Sequence, residues 1–310
     1  LKLYFFMQSA KNNPTSQTYF LLHFIVLILS FTAILGKLIE TSALSVVFFR
    51  TFFATLGLGL ILYLSADFKK KYKRKSIWKL IGVGAIIGIH WICFFGSAKV
   101  STVSVSLVIF STTSFFTSIL EPFMRKKAIN PIEIILGIGV TMGVYLIFTF
   151  ESQYTAGIII GIIGALLAAV FSIFNSQLTN EFPLKVLTFY ELVGAFLATA
   201  VLIPVVYLVS PTSLAHFIPT AKDLLWILVL GLICTVGPYL GMAYLLRKIS
   251  AFTLNLSINM EPIYGIVLAF IIFGESEKMT SGFYWGSICI LLTLLIHPLW
   301  NSYQKNKSQS

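Results

Sequence analysis

Charged side chains are scarce in this sequence: Asp, Glu, Lys and Arg together make up 11% of its 310 residues, less than half the share typical of water-soluble domains. An ordinary soluble fold is excluded on that ground. Cysteine is scarce too, and Cys93, Cys234 and Cys289 all fall in apolar stretches without CxxC or Cys/His ligand spacing. That pattern gives neither a disulfide framework nor a metal site, leaves the three as packing residues, and no cofactor is expected. The chain lacks a GxxxxGK[ST] loop, which speaks against direct use of ATP. It also lacks HExxH, GxSxG and paired aspartates on facing helices, so an intramembrane enzyme is a remote alternative and no catalytic residue is assigned.

Apolar residues are abundant instead, at 57% of the chain with a mean hydropathy of +0.92. About 20 apolar residues carry a helix across the hydrocarbon, so the length accommodates roughly ten spans joined by short loops. Apolar runs between charged or Pro/Ser-rich breaks place helices near 18–38, 43–65, 78–98, 102–124 and 131–150. A second set follows near 155–178, 184–209, 223–247, 251–273 and 279–299. The expected fold is an all-α polytopic membrane protein, with residues 1–17 and 300–310 as cytoplasmic tails. The first apolar run, Leu1 to Met7, is too short for a signal peptide, and Met7 is a candidate start.

With the N-terminus inside, 17 of the 22 basic residues fall on the cytoplasmic side, including the run Lys69 to Lys75. The positive-inside rule then puts both termini in the cytoplasm of a multi-pass inner-membrane protein. The net charge of +11 is explained by this topology, and nucleic acid is not an expected partner. The Lys69–Lys75 run could in addition hold anionic lipid headgroups.

Sliding the chain on itself by 149 residues superimposes Gly82 on Gly231, Gly88 on Gly237, Lys99 on Lys248, Ser101 on Ser250 and Gly137 on Gly286. A shift near 141 sets Arg50 opposite Glu191. Five spans per half is an odd number, so halves 18–150 and 155–299 have opposite orientation, the architecture of alternating-access carriers with a midplane site. GxxxG spacings at Gly84–Gly88, Gly139–Gly143, Gly157–Gly161 and Gly237–Gly241 mark helix-packing faces. Such faces serve contacts within one chain or between two, so a monomer and a homodimer are both open.

The ninth span reads Asn259-Met260-Glu261-Pro262-Ile263-Tyr264-Gly265, runs on to Phe273-Gly274-Glu275, and Gly286 follows in the tenth. This resembles the EamA-type module of the drug/metabolite transporter superfamily, with its midspan Pro, outer Gly-Glu pair and following Gly. Arg50, in Phe48-Phe49-Arg50-Thr51-Phe52, is similar to the Arg that these proteins place early in the second helix. The resemblance covers nearly the whole chain. It implies ten helices around a central cavity, with the first, third, fourth, sixth, eighth and ninth near the path, and a small-molecule cargo. In the first half Thr113 stands in place of the Pro and Lys126 in place of the outer Glu, so a midspan break is expected in the second half alone.

Ionisable groups deep in a bilayer are costly and serve function by default. Glu261 lies about 15 Å into its span, where its carboxyl could bind cargo or exchange a coupling proton, or could be hydrogen-bonded near the Pro262 break. Arg50 and Glu191 lie about 10 Å in from opposite ends and are candidate gating or coupling groups, with Glu275 beside them; a static pair or snorkelling is the alternative. His90, Trp91, Tyr239 and Tyr244 would form an aromatic ring with hydrogen-bonding tips. Ser106, Thr112, Asn255 and Asn259 form a polar layer, and Asn175 adds a weaker candidate beside Phe171. Such a cavity suits an amino acid or a similar amphipathic or aromatic solute better than a multiply charged phosphate. The resulting expectation is a secondary exporter, with proton antiport through Glu261; uptake or uniport of a nucleoside-type or drug-like solute is the alternative.

Overall fold

The computed structural model describes residues 16–65, 71–124, 131–209, 217–249, 251–258 and 260–307. The first half consists of α1 (Ser16–Leu38), α2 (Ala43–Tyr63), α3 (Arg74–Val100), α4 (Val103–Phe110), α5 (Thr113–Met124) and α6 (Pro131–Phe150). The second begins with α7 (Thr155–Leu178) and α8 (Leu184–Val209). It continues with α9 (Ala221–Leu228), which passes through a π-helical segment (Val229–Val236) into α10 (Gly237–Leu245). Then come α11 (Ala251–Ile258), α12 (Glu261–Phe273) and α13 (Ser281–Lys307). Regular elements among the described residues are all helical, and seven are long and apolar enough to span a bilayer, counting α4–α5 and α9–α10 as one each. Shorter apolar stretches in α6 and α13, with the interrupted α11–α12, complete ten spans.

Two bounds differ from expectation: α3 begins at Arg74, and α13 continues to Lys307 through part of the expected tail. Residues 1–15 and 308–310 lie outside the described residues, as do 66–70 of the basic loop. Lys71, Lys73, Arg74 and Lys75 are exposed where that loop enters α3. The end of the bundle that carries them, where α1 starts and α13 finishes, is called the basic end below; the other is the far end.

Packing follows the inverted repeat. Helix α3 lies against α7 and α8, and correspondingly α10 lies against α1, and the π segment against α2. The pairs α2–α8 and α6–α13 are each formed between equivalent elements of the two halves, and the contacts α4–α12 and α5–α11 are equivalent to one another. Polar caps obey the same symmetry. At the far end Lys99 Nζ donates to the Ile39 carbonyl at the C-terminus of α1, 2.6 Å away. At the basic end Arg247 donates to Thr179 and Phe182 carbonyls beyond the C-terminus of α7, at 2.7 and 2.8 Å. A cation at a helix C-terminus satisfies orphan carbonyls and complements the dipole.

Glycine sets the closest helix approach. A Cβ at Gly84 would land on the carbonyl oxygen of Glu191, and one at Gly194 on that of Ile81, so α3 and α8 touch backbone to backbone. Gly88, Gly139, Gly143, Gly157 and Gly161 also face neighbouring chain at close range. Gly237 does not; a Cβ there would meet nothing within 4 Å.

The first half is broken at midspan after all, between α4 and α5, and without proline. Ser111, Thr112, Thr113 and Ser114 each turn their hydroxyl back to the carbonyl three residues earlier, at 2.6, 2.7, 2.7 and 3.1 Å. Hydroxyls that occupy these carbonyls compete with the helix's own amides and bend it. In the second half the break precedes Glu261 and Pro262, which fall in the first turn of α12 where a missing N–H costs nothing. The 149-residue shift carries Ser111-Thr112 onto Met260-Glu261, so two different chemistries interrupt equivalent helices at equivalent places.

Candidate functional site

The two breaks, α1, α3, α7 and α10 surround a central cavity, with Arg50 entering from α2 and Glu191 from α8. Its empty volume is about 950 Å³, counting the part open to solvent. Leu246 and Leu254 line it within a turn of the basic end. At the opposite limit Thr32 and Arg50 lie roughly 10 Å short of the far end, by a rise of 1.5 Å per residue.

Packed polar groups occupy those last turns. Glu277, 2% exposed, accepts from Lys37 Nζ at 3.1 Å, from the amides of Val103 and Ser104 at 3.1 and 2.9 Å, and from the Ser104 hydroxyl at 2.8 Å. It thereby ties α1 and the N-terminus of α4 to the α12–α13 connection, joining the halves. Asp223 caps α9 and accepts the Glu40 amide at 2.9 Å, and Glu151 accepts the amide and hydroxyl of Thr280 at 2.8 and 2.7 Å. At the basic end the Lys79–Glu181 pair is 3.8 Å apart and half exposed, a contact of little strength.

Arg50 is 2% exposed and donates from Nε to Thr235 Oγ1 at 2.7 Å. Its guanidinium lies 4.1 Å from the Trp91 ring centroid and 5.5 Å from that of Phe95, a cation–π clamp that holds the charge without a carboxylate. Thr235 is available because Pro238 cannot donate to the helix ladder; the strand of carbonyls shifts to π spacing and the Thr235 hydroxyl bonds the Leu230 carbonyl at 2.6 Å. Thr235→Val is expected to leave Arg50 Nε without an acceptor at a cost of about 1–3 kcal/mol. The readouts are a lower melting temperature and a raised transport KM, with both restored by Thr235→Ser.

His90 donates from Nδ1 to the Gly164 carbonyl at 2.9 Å. Phe110 and Phe171 flank the imidazole at centroid distances of 5.1 and 5.4 Å, with Phe94 at 6.5 Å. Trp91 meets Tyr239 edge-on at 5.2 Å. Glu261, 3% exposed, heads α12, and its carboxylate makes no hydrogen bond or ion pair among the described residues. It lies within electrostatic reach of Arg50. An anionic group in the first turn of a half-helix is favoured by the helix dipole.

The cavity thus brings together Arg50, His90, Trp91, Asn175, Glu191, Tyr239, Asn255 and Glu261. Asn255 is already engaged, donating to Thr117 at 2.9 Å and accepting from Ser172 at 3.3 Å. Ser106 and Thr112 do not line it; they are bound to the Phe94 and Ile109 carbonyls at 3.1 and 2.7 Å. Tyr244 turns outward and stacks under Lys248 at 4.9 Å. Glu275, a gating or coupling candidate, is exposed and pairs with its neighbour Lys278 at 3.2 Å, while Glu277 makes the buried far-end contacts. Asn259 lies outside the described residues. Thr235, Ser111 and Glu277 escaped sequence reasoning, although Pro238 inside a span was a signal for the first, and Thr113 entered it only as the residue in place of the Pro.

The sequence model of the EamA-like transporter family matches residues 16–149 and again 155–297. No curated protein matches the chain by sequence. A crystal structure described simply as that of a protein superposes on 92% of this chain and 98% of its own, with a TM-score of 0.62 at 13% identity. That likeness speaks to the fold alone.

Proposed function

The chain belongs to the EamA-like transporter family, whose members move small solutes through membranes, and on that premise we propose that it is a secondary carrier exporting an amphipathic, amino-acid-type metabolite by alternating access. The observation that carries this reading is the cavity itself. It combines one guanidinium, two carboxyls and an aromatic cage, reaches the basic end and stops beneath the Glu277 knot. Arg50 offers a bidentate donor for a carboxylate, and Phe94, Phe110 and Phe171 offer an apolar wall to a side chain. Two halves joined at one end and parted at the other can exchange these roles by rocking about the midplane.

Glu261 is the group assigned to proton coupling, because its carboxyl faces the cavity at the α11–α12 break without a fixed partner. The distribution of basic residues supports an inner-membrane location with the basic end in the cytoplasm, and the exposure of Lys71, Lys73, Arg74 and Lys75 supports a contact with anionic headgroups. The aromatic cage also favours a second reading, a uniporter or uptake carrier for a planar nucleoside-type or drug-like solute.

The test is a profile of small molecules in medium and cytosol of cells overexpressing the chain, beside cells with Glu261→Gln at matched membrane levels. The expected result is a solute that accumulates outside only with the intact carboxyl. Equal export by both variants would remove Glu261 from the mechanism, and inward accumulation would select the uptake reading.

A further inference from the structure

The basic-end half of the cavity holds a second polar cluster that a carboxylate on Arg50 and a proton on Glu261 leave unused. Glu191 is 1% exposed, and its carboxylate makes no hydrogen bond of normal geometry, its contact with the Asn175 side chain being a loose one. Asn175, 5% exposed, leaves Oδ1 unpartnered, and Tyr239, 6% exposed, leaves its hydroxyl unpartnered. The three come from α8, α7 and α10 and line the same cavity. No ion pair ties Glu191 to Arg50, whose Nε donates to Thr235 and whose guanidinium lies against two aromatic rings.

The backbone of Glu191 is held in close contact with Gly84 of α3. Thr188, one turn earlier on α8, likewise has a buried hydroxyl without a partner. Two carboxylate oxygens and an amide oxygen without well-formed hydrogen bonds, buried near two unpartnered hydroxyls, are costly unless an occupant brings hydrogens or positive charge. A divalent ion would want six or more oxygens and further carboxylates, and no cluster of three acidic, His or Cys groups exists among the described residues.

We infer that Glu191, Asn175 and Tyr239 form a cation subsite, separate from Arg50 and Glu261, that takes a monovalent cation: the primary ammonium of the cargo or an inorganic ion. This rests on the reading that cargo occupies the cavity. With the cargo carboxylate on Arg50 and its ammonium on Glu191, Tyr239 lies within electrostatic reach of both charges. A zwitterion would then be gripped between the two halves, since Arg50 belongs to the first and Glu191 to the second.

The experiment titrates the purified full chain in nanodiscs with 2-phenylethylammonium, with 3-phenylpropionate, and with sodium chloride against choline chloride, reading thermal stabilisation. Glu191→Gln is expected to weaken 2-phenylethylammonium at least about tenfold and to leave 3-phenylpropionate within about twofold. A Glu191-dependent response to sodium over choline would instead identify an inorganic occupant of the same subsite. Cation responses unchanged in Glu191→Gln, or absent while 3-phenylpropionate still binds, would overturn the subsite and leave the cargo cavity standing. Silence to all three probes would overturn the subsite together with the amphipathic-cargo reading. Should Glu191→Gln fail to fold, Asn175→Leu carries the same comparison, because it removes the unpartnered Asn175 Oδ1 together with an amide in only loose contact with Glu191.

Discussion

Replacing Glu277 with Ala is expected to open the far end. The substitution strips the acceptor from two buried amides, a buried hydroxyl and the Lys37 ammonium at once. Each buried donor left unsatisfied costs about 1–3 kcal/mol, although Lys37, 27% exposed, can recover part of its share from water. A net loss of about 2 kcal/mol or more falls on the far-end-closed arrangement alone, because the contacts join the two halves and must part when that end opens. A penalty of that size shifts the balance between arrangements about 30-fold. Transport by Glu277→Ala would therefore show altered turnover with the cavity residues untouched. Glu277→Gln keeps an oxygen acceptor for the α4 amides while removing the ion pair, and its effect should be intermediate. Wild-type turnover in Glu277→Ala would show that these contacts hold the fold and not the gate.

Gly84→Leu is expected to prevent stable folding. The added Cβ overlaps the Glu191 carbonyl, a backbone atom that cannot rotate aside, and the remaining side chain must be placed between α3 and α8. Forcing such volume into packed backbone costs about 3 kcal/mol or more, against a total stability of about 5–15 kcal/mol for a folded domain. Loss of a monodisperse peak in detergent would be the readout. Gly237→Leu is the matched control, since its Cβ position faces open space. Equal tolerance of both would contradict the backbone contact between α3 and α8.

Much of this fold was legible because a membrane span leaves a strong periodic signature. The bounds of α1, α2, α7 and α8 follow from apolar length and flanking polar breaks, and the odd number of spans per half fixes their inversion. What escaped was governed by hydrogen-bond geometry. The break after Phe110 depends on four consecutive hydroxyls choosing carbonyls over solvent, a choice that Ser and Thr make only in context. The π segment depends on where the ladder slips to accommodate Pro238.

Symmetry misled in one instructive place. The repeat alignment matched Lys99 with Lys248, yet the helix-capping role of Lys99 falls in the second half to Arg247, while Lys248 covers Tyr244. One residue of rotation separates neighbours on a helix by 100°, so an ungapped alignment finds the right turn and the wrong face. The same limit applies at the far end, where Glu275 and Glu277 differ by two positions and by complete burial. In the cavity, depth in a span did not decide which residues the fold brings together: Asn175 and Asn255, close to helix ends, line it, and Thr112 at midspan does not. Ser106, Thr112 and Tyr244 were chosen by polarity or proximity, and local hydrogen bonding or outward rotation takes them elsewhere.

The most direct test of a carrier whose cavity opens one end at a time is sidedness of access to Ser172, which lines it. With Cys93, Cys234 and Cys289 replaced by Ala, Ser172→Cys is treated with a membrane-impermeant thiol reagent in intact cells and in inside-out vesicles. Fast labelling in the vesicles, protection in cells, and labelling in cells once Glu277→Ala is added are the expected results. Rapid labelling from both sides with Glu277 intact would contradict such a carrier, because a cavity open at both ends is a channel.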